Sequence, residues 1–153
     1  VILPGNHDPA GADSLYTRHP LPGNVRVIAS AEGELVQLDG VTLWGQAHTS
    51  YHDFRPLGGS PSWPDASAWR VAVAHGHFAE SDYDRRFSYC IESHELEATA
   101  ADYVALGHWD VHQPVGRGRP PVYYSGSPCR TGRFALVSLA EGGVEVTEIA
   151  VER

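Results

Sequence analysis

Three short apolar runs, each passing beside glycine into residues that bind metals or move protons, constrain this chain more than any other feature. Val1-Ile2-Leu3-Pro4 leads into Gly5-Asn6-His7-Asp8. Val71-Ala72-Val73-Ala74 leads into His75-Gly76-His77, and Tyr103-Val104-Ala105-Leu106 into Gly107-His108-Trp109-Asp110-Val111-His112. Short continuous apolar runs bounded by glycine read as buried strands. Such strands deliver functional side chains on the loops at their ends. Here those loops carry an amide oxygen, imidazoles and carboxylates, the donors that hard divalent ions take in metal-assisted phosphoester chemistry.

The remaining pattern fits that frame. Short strands are predicted over 25–28, 34–38, 41–44, 122–124, 134–139 and 144–151. Asp39-Gly40 is a two-residue hairpin signal between two of them, and Gly142-Gly143 marks the last turn. Helices are predicted near 14–18 and over 93–101, the second with Ser93 as its cap. A surface loop spans 51–64, where Gly58-Gly59 and three prolines fall, and a Gly/Arg/Pro loop spans 114–121. Short strands with a few helices imply the α/β class, a sandwich with flanking helices. The 153 residues fit one domain of ordinary size, and 42% hydrophobic content suffices for a core.

Composition removes several classes. No run approaches the roughly 18 apolar residues of a membrane span, and no basic, apolar signal segment opens the chain. Cys90 and Cys129 have neither a disulfide framework nor zinc-finger spacing, so a reducing, cytoplasmic setting is the expectation. The net charge of -8 argues against a protein that simply coats nucleic acid. It is compatible with a nuclease, because bound cations offset negative charge locally. There is no Met, and all 11 basic residues are Arg. With a strand already under way at Val1, the lack of Met implies an internal or C-terminal piece of a longer chain. The Lys-free composition reads as a bias of the source genome.

The chain holds nine His. His75 and His108, each at a strand end beside glycine, are candidate ligands, and His77 is either a supporting group or a loop residue. His19, His48, His52 and His94 read as ordinary surface or core histidines. Arg117, Arg119, Arg130 and Arg133 either grip a phosphate or are solvated loop residues. Trp44, Trp63 and Trp69 read as packing. Trp109 lies between candidate ligands and would line a substrate cleft.

Gly5-Asn6-His7-Asp8, the strand ending in His75-Gly76, and Ala105-Leu106-Gly107-His108 resemble the third, fourth and fifth signature blocks of the calcineurin-like metallophosphoesterases. Tyr123-Tyr124-Ser125-Gly126-Ser127-Pro128 resembles the segment that follows the last block. The run 102–108 is most similar to the bacterial DNA-repair exonuclease branch, SbcD-like. The resemblance covers essentially the whole chain. It implies a four-layer α/β/β/α sandwich lacking its N-terminal part, with 1–153 the C-terminal portion of a single domain.

The resemblance further implies that Asn6, His75 and His108 ligate one of two divalent ions. Those ions would be Mn²⁺, with Fe and Zn as alternatives. His7 would assist proton transfer or stabilise the transition state and Asp8 would orient it, while a metal-activated hydroxide attacks phosphorus in line. Arg130 and Trp109 would contact substrate. The family's last block is Gly-His-x-His, and here Asp110 stands in the second His position with His112 two residues beyond. Asp110 keeps the spacing and suits Mn²⁺; His112 is the alternative. The family's first two blocks, Asp-x-His and Gly-Asp-x-x-Asp, do not precede Val1, so an upstream segment is expected to complete the site. This segment alone is expected to be inactive. The implied function is phosphodiester or phosphomonoester hydrolysis, with DNA as the first substrate and an ATPase partner subunit if nuclease-like. A small-nucleotide phosphoesterase and a non-catalytic domain that binds a metal or partner remain the other readings.

Overall fold

The computed structural model describes residues 1–65 and 68–151. They form a mixed α/β unit with few helices. The strands are β1 (Glu34–Leu38), β2 (Val41–Gly45), β3 (Trp69–His75), β4 (His77–Phe78), β5 (Cys90–Ile91), β6 (Tyr103–Gly107), β7 (His112–Pro114), β8 (Val122–Ser125), β9 (Arg133–Ala140) and β10 (Gly143–Ala150). The helices are α1 (Leu15–Arg18) and α2 (Ser93–Ala98).

The main sheet has six strands in the order β1-β2-β3-β6-β8-β7. Its four inner strands run parallel, and β1 and β7 close the edges antiparallel. Continuous apolar runs suit inner parallel strands, which are covered on both faces. Residues alternate between the faces. Trp44, Ala72, Ala74, Val104, Leu106, Val122 and Tyr124 share the buried face, and Leu57, Phe78, Ile91 and Leu96 pack with them. Val41, Leu43, Val73, Ala105 and Tyr123 lie on the opposite face and are half-buried, while Val71 and Tyr103 on that face are buried. β9 and β10 form a separate antiparallel hairpin, and β4 pairs with β5 in parallel.

Two buried polar devices fix the segments around the sheet. The Tyr124 hydroxyl donates to the Gly76 carbonyl at 2.9 Å and accepts from the Phe78 N–H at 2.7 Å. This pins the turn between β3 and β4 and satisfies two backbone groups that water does not reach. Arg55 spans Glu92 at 2.9 Å and Glu95 at 2.8 Å, which ties the 51–65 loop to α2.

Several local expectations change. The strands predicted at 1–4 and 25–28 reduce to one parallel bridge, Ile2 to Val27, because each run has a single short partner. The cap of α2 is Glu92 rather than Ser93, and the helix stops at Ala98. The Glu92 N–H donates to the Glu95 carboxylate at 2.8 Å, so the first turn is closed from its own third residue. The predicted loop at 114–121 begins one residue later than its sequence suggests, since Pro114 is the last residue of edge strand β7. Proline is tolerated at an edge, where no ladder donor is needed.

Candidate metal centre

Because β3 and β6 are parallel neighbours paired His75 to Gly107, their C-terminal ends lie side by side. The loop after Ile2 comes to the same edge. As a result Asn6, His75 and His108 converge. His75 Nε2 lies 2.8 Å from Asn6 Oδ1, and His108 Nδ1 lies 3.4 Å from the same oxygen. The two imidazoles stand edge to face, with centroids 5.4 Å apart. Glycine makes this approach possible. A Cβ on Gly5 would lie 2.5 Å from the His75 ring, and one on Gly107 would lie 2.8 Å from His75 Nδ1.

Burial sets the charge state of these groups. It lowers the His75 pKa from 6.5 to about 4, and the neighbouring imidazoles of His108 and His48 push it the same way. Burial also lowers the pKa of His108, with His77 and His48 adding to the effect. Both rings are therefore neutral at pH 7, with a nitrogen lone pair available to a metal.

His108 also holds a strained backbone, with φ of 105°. That region favours glycine, and a side chain there costs about 1–3 kcal/mol. Strain of this kind persists where the surroundings fix a functional geometry. His108→Gly and His108→Ala remove the same ring and differ in the Cβ. The Gly variant is expected to be more stable than the Ala variant by roughly 1 kcal/mol in urea unfolding, reversing the usual order.

His7 is exposed on its loop, near enough that its charge lowers the pKa values of His75 and His108. Asp8 turns back on the loop, accepting from the Gly5 N–H at 2.9 Å and from the Tyr16 hydroxyl. Burial, and then the hydrogen bond and charge of the Asp8 carboxylate, push the Tyr16 pKa up to about 12. Asp110 pairs with Arg130 at 2.6 Å, so two residues singled out separately meet each other. The Asp110 carbonyl also accepts from Thr131 Oγ1 at 3.0 Å. His112 opens β7 and stacks on Tyr123 at 5.6 Å; its buried Nδ1 has no hydrogen-bond partner. Trp109 is half-exposed, with its ring 5.6 Å from His108 and 5.7 Å from His77.

Two further residues, His48 and Tyr16, support this group. His48 is fully buried, and its Nε2–H donates to the His75 carbonyl at 2.8 Å. Its ring packs edge-on against His75, Phe54 and Tyr89. It sits three residues past the end of β2, so the strand-end rule that marked His75 and His108 also reaches it. Tyr16, which fixes Asp8, has no such signal beyond lying in the short helix α1.

Among the described residues, no three His, Cys, Asp or Glu side chains form a metal-binding group. The grouping at Asn6 is two imidazoles and one amide oxygen. Donors in neighbouring positions of an octahedral ion at about 2.1 Å sit about 3 Å from one another. The 2.8 Å and 3.4 Å separations fall on either side of that spacing. The neutral nitrogens and hard oxygen suit Mn²⁺ or Fe²⁺ better than a thiolate-seeking ion.

Among the described residues, no helix is long and apolar enough to cross a membrane. Compared with protein-family models and with curated proteins, the chain matches none.

Proposed function

We propose that this chain is the C-terminal portion of a calcineurin-like metallophosphoesterase domain that hydrolyses phosphoester bonds. The observation that carries the reading is the convergence of Asn6, His75 and His108 on one point at the ends of parallel strands. The motifs around those residues resemble the family's blocks in order. The half-buried apolar face of the main sheet fits the second layer that a four-layer sandwich requires.

In this reading Asn6, His75 and His108 hold one divalent ion, with Mn²⁺ the first choice. Bound ions polarise the phosphoryl oxygens and activate water. The chain's own groups then divide the remaining work. His48 holds the His75 backbone, so that the ring is presented without searching. His7, exposed at the rim, is placed to donate a proton to the departing oxygen. Asp8 and Tyr16 fix the loop that carries it. Asp110 would hold a second ion in place of Arg130, and Arg130 would contact the phosphate. Upstream Asp-x-His and Gly-Asp-x-x-Asp blocks supply the remaining ligands. DNA is the first substrate class within the reading, and an ATPase partner follows from it.

The test is hydrolysis of bis-p-nitrophenyl phosphate by the chain joined to such an upstream segment. Activity is expected to require Mn²⁺ and to fall at least tenfold, roughly, in His108→Ala. Activity unchanged by that substitution contradicts the assignment.

A further inference from the structure

A cleft of about 370 Å³ opens beside the metal centre, between the β4–β5 segment and β7. That is within the range of small-molecule sites. Its apolar walls are Phe78, Val111 and Val115, with the Trp109 ring at one side; Glu80 and Asp84 carry the charge. Trp109 is the shared wall. It touches His108 of the metal centre and His77 of the cleft, and its Nε1–H donates to His77 Nδ1 at 3.1 Å. That bond holds the indole in place while leaving it half-exposed. Phe87, also exposed, packs against His77 at 4.6 Å.

The charges say what this cleft does not hold. Asp84 Oδ2 accepts from the Ser81 hydroxyl and from the Ser81 and Glu80 N–H groups, which holds its pKa below the usual carboxylate range. Asp84 Oδ1 has His77 Nε2 at 3.8 Å, beyond hydrogen-bond length. An anionic rim repels phosphate and accepts hydrogen bonds from amines. An exposed indole face offers stacking to a flat ring of any kind.

We infer that this cleft takes a flat aromatic ring, a nucleobase bearing an exocyclic amine, with Trp109 as the stacking face and Glu80 and Asp84 as acceptors. The phosphoester then lies at Asn6, His75 and His108, and that second clause alone rests on the hydrolase reading. Adenine and cytosine fit the acceptor rim. Uracil presents carbonyl oxygens to it and is disfavoured.

The experiment uses the ¹⁵N-labelled chain without metal, titrated with adenosine or uridine, neither of which has a phosphate. The four indole N–H signals are followed, and Trp109→Phe assigns the one of interest. Adenosine is expected to shift the Trp109 signal and to bind several-fold more tightly than uridine. Trp109→Ala is expected to weaken adenosine binding about tenfold or more. Glu80→Gln, at an exposed position, is expected to narrow the adenosine-over-uridine preference. Adenosine binding untouched by Trp109→Ala, or no shift at about 10 mM adenosine, overturns the inference. Because neither nucleoside needs a metal, adenosine binding in a chain that fails to hydrolyse phosphoesters supports the ring site and removes only the hydrolase reading. Absent adenosine binding in a chain that does hydrolyse them removes only the ring site.

Discussion

Gly5→Ala is expected to weaken Mn²⁺ binding by about 100-fold, at the upper end of what changes just outside a metal's ligands produce. The added Cβ would sit 2.5 Å from the His75 ring, where real contacts do not occur. The ring has little room to yield, since Gly107 also lies close to it and His48 holds its carbonyl. The substitution therefore moves a candidate ligand without removing one. It also overpacks the site, at about 1–3 kcal/mol of stability. A double-mutant cycle isolates the cause. In a His75→Ala background the ring is gone, and Gly5→Ala is expected to cost little in urea unfolding. A penalty of equal size in both backgrounds would show that residue 5 acts through something other than His75.

Acid lability is the second large effect. His75 titrates near 6.5 in the unfolded chain and at about 4 in the fold, because burial and two neighbouring imidazoles oppose its charge. Between those values the unfolded chain holds a proton that the folded chain does not, so stability falls as pH drops from about 6.5 to about 4. The full shift corresponds to about 3 kcal/mol. His48 and His108 are lowered in the same direction and extend the slope. Urea midpoints measured between pH 7 and pH 4.5 are expected to fall steadily. His75→Gln, which does not titrate, is expected to flatten much of that limb. A midpoint independent of pH in this window would contradict the buried neutral site.

The convergence of Asn6, His75 and His108 was legible in the sequence where a single rule sufficed. An apolar run ending beside glycine marks a buried strand with a functional loop, and it placed His75 and His108 together because β3 and β6 became parallel neighbours. The same rule brought Asn6 to them, although the run before it makes only one bridge. The α/β class followed from the same runs. What the sequence hid has physical causes. Strands β4 and β5 are two residues long, too short for any period to show. β7 contains Pro114, which argues against a strand until its edge position is known. Glu92 caps α2 through Glu95, a reciprocal use of carboxylates that lies outside the usual cap residues. His48 looked ordinary because two residues separate it from its strand, and only the fold turns its ring under His75. The Asp110–Arg130 pair, 20 residues apart in sequence, depends on where the loops after β6 and β8 settle.

Paramagnetic line broadening shows whether Asn6, His75 and His108 form one metal centre. Mn²⁺ is added at far less than one equivalent to the ¹⁵N,¹³C-labelled chain, and the side-chain signals of Asn6 and all nine histidines are followed. The structure predicts that the Asn6 amide and the His75 and His108 rings broaden first, with His48 and His7 next. The exposed rings of His19, His52 and His94 are expected to stay sharp. Broadening that begins at those three rings, or that spares His75 and His108, would contradict the account.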